Sequence, residues 1–179
     1  MIAGFEQSYV QCGDVRLSVH RAGQGTPLIA LHGYPQNHHC WAQVAPALAQ
    51  QFDVIIPDLR GYGDSDAPAD DADHLTYSKR VMAADIVALM DALDLPDAHI
   101  LGHDRGARVA YRMALDHPQR VRRLGIIEIV PTGDFWAGWD ANLAMKAYHW
   151  TFLAQPAPLP ERMIGADPAA YIDWTLQAW

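Results

Sequence analysis

An α/β fold, a mostly parallel sheet with helices on both faces, is what this sequence predicts between Phe5 and Val130. Three observations carry the prediction. Short apolar runs alternate with longer segments whose apolar residues recur at helical spacing. The runs at 27–31 and 54–56 are apolar throughout, as strands buried on both faces are. And 50% of the 179 residues are hydrophobic, enough to bury such a sheet as one domain or as a core with a small appendage. Alternating strand and helix implies crossover connections, and hence parallel neighbours.

In chain order, Phe5–Cys12 and Val15–His20 read as two strands joined at Gly13-Asp14, a short hairpin signal. Pro27–Leu31 is a buried strand feeding His32-Gly33-Tyr34-Pro35-Gln36, and Trp41–Gln50 follows as a helix. Val54, Ile55 and Ile56 form the next strand, stopped at Pro57. Asp58-Leu59-Arg60-Gly61-Tyr62-Gly63-Asp64-Ser65-Asp66 is then a surface loop, because turn formers dominate it. Tyr77–Leu93 is a helix with Met82, Ile86, Leu89 and Leu93 on one stripe, ended by Pro96. Ala98–Leu101 is a short buried strand, and a helix runs from Gly106 until Pro118 stops it. Leu124–Val130 is a further strand, closed by Pro131. Beyond Pro131 the character changes. Five of the six tryptophans lie past residue 135, and three segments there, Asn142–Ala154, Pro160–Ile164 and Pro168–Trp179, read as helices without intervening strands.

Composition narrows the function classes. A net charge of −8 argues against nucleic acid or an anionic membrane as partner. Met1–Val10 has neither a basic start nor an apolar core, and no apolar run is long enough to span a bilayer, so a cytoplasmic location is expected. Two cysteines, Cys12 and Cys40, make no disulfide framework and are expected to be free thiols. His38-His39-Cys40 is a weak metal motif, since adjacent side chains diverge and no partner stands at a recognisable ligand spacing; no metal is expected. Phosphate-loop and dinucleotide-binding glycine patterns are absent, and no cofactor is expected.

The chemistry concentrates at Gly102-His103-Asp104-Arg105-Gly106, between strand and helix. Glycines two before and two after a central residue allow a sharp, strained strand-to-helix turn, with the central side chain exposed at its tip. That residue is Asp104 here, where such turns usually carry serine. A carboxylate is nucleophilic at pH 7 without a base and can displace a leaving group from an sp3 carbon. The resulting ester then needs water, a general base and an oxyanion site. The plain alternative is that Asp104 is a helix N-cap. Arg105 and Arg108 share one face of the first helical turn, where cations oppose the helix dipole. Binding an anionic substrate gives them a reason, since a guanidinium takes a carboxylate in bidentate geometry. Otherwise one pairs with Asp104 and the other with a surface acid.

The order of His32-Gly33-Tyr34-Pro35-Gln36, the Asp58–Ser65 loop, Gly102-His103-Asp104-Arg105-Gly106 and a helical segment resembles the aspartate-nucleophile branch of the α/β-hydrolase fold. That branch holds haloalkane dehalogenases, epoxide hydrolases and haloacetate dehalogenases. Within it, Pro35-Gln36-Asn37, Asp104-Arg105-Gly106-Ala107-Arg108, Arg112-Met113-Ala114-Leu115-Asp116-His117-Pro118 and the stretch from Tyr148 to Pro160 most resemble fluoroacetate dehalogenases, along essentially the whole chain.

The resemblance implies residues 1–130 as the N-terminal part of the hydrolase core and 131–179 as the start of a helical cap roofing the site. It implies hydrolysis of a short 2-haloacid, fluoroacetate or chloroacetate, to glycolate and halide. Asp104 would be the nucleophile and Arg105 and Arg108 the carboxylate clamp. The loop at Tyr34, with the N–H of Arg105, would form the oxyanion site, and His149 and Trp150 would donate hydrogen bonds to the departing halide. Without the resemblance, Trp150 reads as a core residue with Leu143 and Ala147, and His149 as a partly exposed helix residue. A homodimer is compatible with the likeness. Glu128 aligns with the acid that orients the catalytic histidine, where aspartate is usual; Asp134, beyond Pro131, fits less well. That histidine normally follows the cap and further strands. None of the nine histidines here stands there, so the base and the C-terminal strands and helices are expected outside these 179 residues. An epoxide hydrolase using the same aspartate, or a non-catalytic carboxylate-binding fragment, are the alternatives.

Overall fold

The computed structural model describes residues 2–177 and divides into two compact units, Met1–Ile129 and Val130–Trp179. The first holds a six-stranded sheet: β1 (Glu6–Cys12), β2 (Val15–Ala22), β3 (Thr26–Leu31), β4 (Phe52–Pro57), β5 (Ala98–His103) and β6 (Val121–Ile127), in the order β1-β2-β4-β3-β5-β6. β1 and β2 form the expected antiparallel hairpin, turned at Gly13 with φ 62°. β2 also runs antiparallel to β4, while β4, β3, β5 and β6 are mutually parallel.

Side-chain alternation builds a core on each face. Ile29, Leu31 and Ile55 pack on one face with Met82, Ile86 and Leu89 of α2 (Lys79–Ala92) and with Val109, Ala110 and Met113 of α3 (Arg105–Asp116). Leu28, Ala30, Val54 and Ile56 point the other way, onto Ile2, Phe5, Trp41 and Ala45. Helices therefore cover both faces. α2 starts where Ser78 accepts a hydrogen bond from the Val81 N–H.

Several elements depart from the sequence expectation. Instead of one helix over 41–50, a 3-10 turn at His38–Trp41, capped by the Asn37 side chain, is followed by α1 (Ala45–Leu48). Pro46 lacks the N–H that a continuous helix needs and sits in the first turn of a new one. The strand expected at 124–130 runs from Val121 to Ile127, because Val121–Arg123 already pair with β5 and Glu128 leaves the extended region at φ 64°. In the second unit, a helix α4 (Thr132–Ala137) was not anticipated. The helix expected at 142–154 is split into α5 (Ala141–Lys146) and α6 (Tyr148–Leu153) at Ala147, φ −108° and ψ 35°. α7 (Leu159–Ala166) and α8 (Pro168–Gln177) complete the unit; residues 178 and 179 of the segment expected to reach Trp179 lie outside the described residues. Cys12 and Cys40 are free thiols. Among the described residues no helix is long and apolar enough to cross a membrane.

Candidate active site

The turn between β5 and α3 is tight at every glycine. A Cβ on Gly102 would lie 2.5 Å from Ala107 Cα, and one on Gly106 2.4 Å from the backbone oxygens of both Leu31 and His32. Such contacts bar any larger residue. Asp104 sits between them at φ 47° and ψ −115°, a strained conformation for a non-glycine residue. It makes no side-chain capping bond to the helix it precedes, which removes the N-cap reading. Its Oδ1 instead accepts the Tyr34 N–H at 2.7 Å. Gly33 makes that approach possible, since a Cβ there would fall 2.6 Å from Asp104 Cβ.

Around the carboxylate, Arg105 lies with its guanidinium 4.9 Å from the centre of the Tyr34 ring, a cation–π arrangement. Arg108 is buried, 6% exposed, and burial pulls its pKa down. A charge so placed needs a counter-charge or an anionic ligand. Burial raises the Tyr62 hydroxyl pKa while Arg105 opposes the rise. Lys79, at the start of α2, escaped the sequence reading. Its pKa falls to about 8, first through burial and then through repulsion from Arg105 and Arg108, with Asp104 opposing. A pocket of about 280 Å³, bounded by Tyr34, Tyr62, Tyr77, Met82 and Arg105, has room for a small organic acid.

Glu128, just past β6, places Oε2 3.0 Å from His103 Nε2, and the other ring nitrogen of His103 lies 3.0 Å from Gln36 Oε1. The structure thus pairs Glu128 with the residue preceding the nucleophile. His32 is structural: its Nε2 accepts the Leu59 N–H at 3.0 Å and it is fully buried, with its pKa lowered by that burial.

In the second unit, His149 is buried, 5% exposed, rather than partly exposed on its helix. Trp150 packs in an aromatic cluster, its ring 4.3 Å from Phe135 and 5.5 Å from Trp136, so α4 contributes more to its surroundings than the sequence suggested.

A second cluster in the first unit was also missed. His20 of β2, His38 and Asp58 are all buried and present ligand atoms within 4.8 Å of one another. Only strand pairing brings these three separate segments together.

Comparison with known proteins agrees with the fold. The sequence profile of the alpha/beta hydrolase fold matches residues 26–179. The chain is 46% identical over all 179 residues to the fluoroacetate dehalogenase of a Burkholderia species, of which it spans 59%. It is 42% identical over 131 residues, 73% of its length, to the soluble epoxide hydrolase of Corynebacterium sp. strain C12, spanning 41% of that protein. The solved structure of ALR0039 from Nostoc sp PCC 7120 superposes with a TM-score of 0.97 at 49% identity, over 100% of this chain and 62% of that one. Fold, elbow and similarity together show that the chain belongs to the alpha/beta hydrolase fold family.

Proposed function

We propose that this protein hydrolyses the carbon–halogen bond of a short 2-haloacid such as fluoroacetate or chloroacetate. The observation that carries the reading is a strained, glycine-bracketed aspartate with two arginines in the first turn behind it. Arg105 and Arg108 hold the substrate carboxylate, so that its α-carbon faces Asp104. A carboxylate oxygen of Asp104 attacks that carbon, and the carbon–halogen electron pair leaves with the halide. Water then adds to the ester carbonyl of Asp104, releasing glycolate and returning one oxygen to the aspartate. The Tyr34 N–H, already 2.7 Å from Oδ1, is aimed where negative charge develops in that second step, with the Arg105 N–H as its partner. No cofactor enters either displacement.

The second step requires a base. Glu128 would orient the histidine that supplies it, turning from its present contact with His103 to do so. For His149 and Trp150 the halide-donor role rests on sequence likeness alone; fluoride, a poor leaving group, would gain most from such donors.

Likeness to an epoxide hydrolase favours a second reading, in which the same aspartate opens an epoxide. Both are tested by intact mass after incubation with fluoroacetate, chloroacetate or styrene oxide, followed by peptide mapping. The dehalogenase reading expects a carboxymethyl ester on Asp104 from the haloacids, absent in Asp104→Asn and formed more slowly in His149→Ala or Trp150→Phe. A hydroxyalkyl ester from the epoxide alone would establish the second reading. A folded protein that forms neither, yet binds acetate reversibly, would leave carboxylate binding as the function.

A further inference from the structure

His20 is 1% exposed, and among the described residues neither of its ring nitrogens has a hydrogen-bond partner. A buried imidazole left so costs the fold unless something else meets it. It stacks on His38, ring centroids 3.7 Å apart at 22°. The Nδ1 of His38 is in turn 3.0 Å from both carboxylate oxygens of Asp58.

We propose that His20, His38 and Asp58 form a binding site for a divalent transition-metal ion, of which zinc is the expected occupant. Bond lengths of about 2.0–2.2 Å to nitrogen and oxygen place cis ligand atoms about 3.4 Å apart in a tetrahedral site. The His38–Asp58 spacing already lies near that separation. The third nitrogen lies within 4.8 Å of the others, and to close the set the His20 ring must leave its stack on His38 and turn that nitrogen toward the ion. Two imidazoles and one carboxylate suit zinc, cobalt or nickel rather than magnesium or calcium, which favour all-oxygen sites. Backbone amides hold Asp58 in position, since its Oδ1 accepts the His38 N–H at 2.7 Å and its Oδ2 the Asp64 N–H at 3.1 Å. Gly63, φ 53°, lets the chain pass there, since a Cβ would meet Oδ2 at 2.2 Å. An ion at this point would tie β2 to the loops that follow β3 and β4. The first of those loops carries the Tyr34 N–H, so the metal would hold the oxyanion donor in place without touching substrate.

The test uses the 179-residue chain, stripped with a chelator and titrated with Co2+ and then Zn2+. One equivalent of Co2+ with the visible absorption of a four-coordinate nitrogen and oxygen site is expected, displaced by Zn2+ and accompanied by a rise in Tm. His20→Phe keeps the stack on His38 and removes the ligand; at least a tenfold loss of Co2+ affinity is expected. His20→Leu replaces it should the phenylalanine variant not fold. His39→Ala/Cys40→Ser, which removes the exposed neighbours, should bind as the parent does. Failure of the parent chain to take up Co2+ or Zn2+ overturns the proposal. So does uptake that survives His20→Phe, or that vanishes with His39 and Cys40.

Discussion

At the scale of single residues, the sharp turn that carries Asp104 was legible and its surroundings were not. Gly102, Asp104 and Gly106 stand at fixed short spacing, so chain sterics alone identify the turn. Lys79 lies on another helix, and only packing brings its charge toward Arg105 and Arg108. Its folded pKa of about 8 lies below the ordinary lysine value of 10.5. Between those values the folded chain binds fewer protons than the unfolded one, so the charge costs stability at neutral pH and the cost is relieved as pH rises past 8. Lys79→Met is therefore expected to raise the urea midpoint most at pH 7, with the gain shrinking toward pH 10. A gain independent of pH would show that lost or added packing, rather than charge, accounts for it.

At the scale of elements, the strands and the two long helices of the first unit follow from hydrophobic period and stop signals, while the short pieces do not. The failures at 41–50 and 142–154 share a cause: helices of one or two turns are decided by a proline or a cap rather than by periodicity. The loop after β4 shows a further limit. Its turn residues predict a surface loop, yet Arg60 is 3% exposed. It makes a bidentate pair with Asp85 of α2, both contacts at 2.6 Å, and also reaches the Thr76 carbonyl oxygen at 3.1 Å. Burial raises the Asp85 pKa and Arg60 counteracts it. Arg60→Met would strand that carboxylate, at a cost of about 3 kcal/mol. Urea denaturation should show the loss, and Arg60→Met/Asp85→Leu should recover most of it. Equal instability in the double variant would place the loss in the loop itself.

At the scale of the whole molecule, the mostly parallel sheet was implied by strand and helix alternation, but the exposure of its far edge was not. Leu124, Ile126 and Ile127 of β6 are 39%, 43% and 41% exposed, next to a hollow of about 270 Å³ lined by Leu28, Phe52, His99 and Leu101. Apolar edge strands invite pairing with other chains. The 179-residue chain should bind an apolar dye and elute larger as its concentration rises, and Ile126→Lys should reduce both effects. The same sheet also sets the chemistry. β3 and β5 are adjacent and parallel, with Leu31 opposite Gly102. The loops that carry the Tyr34 amide and the Asp104 carboxylate therefore leave the sheet at one level, a strand spacing apart. The sheet acts as a ruler: the gap between the Tyr34 amide and the Asp104 carboxylate is metered by backbone pairing. The side chain at the tip of the turn can then be exchanged without remeasuring that distance.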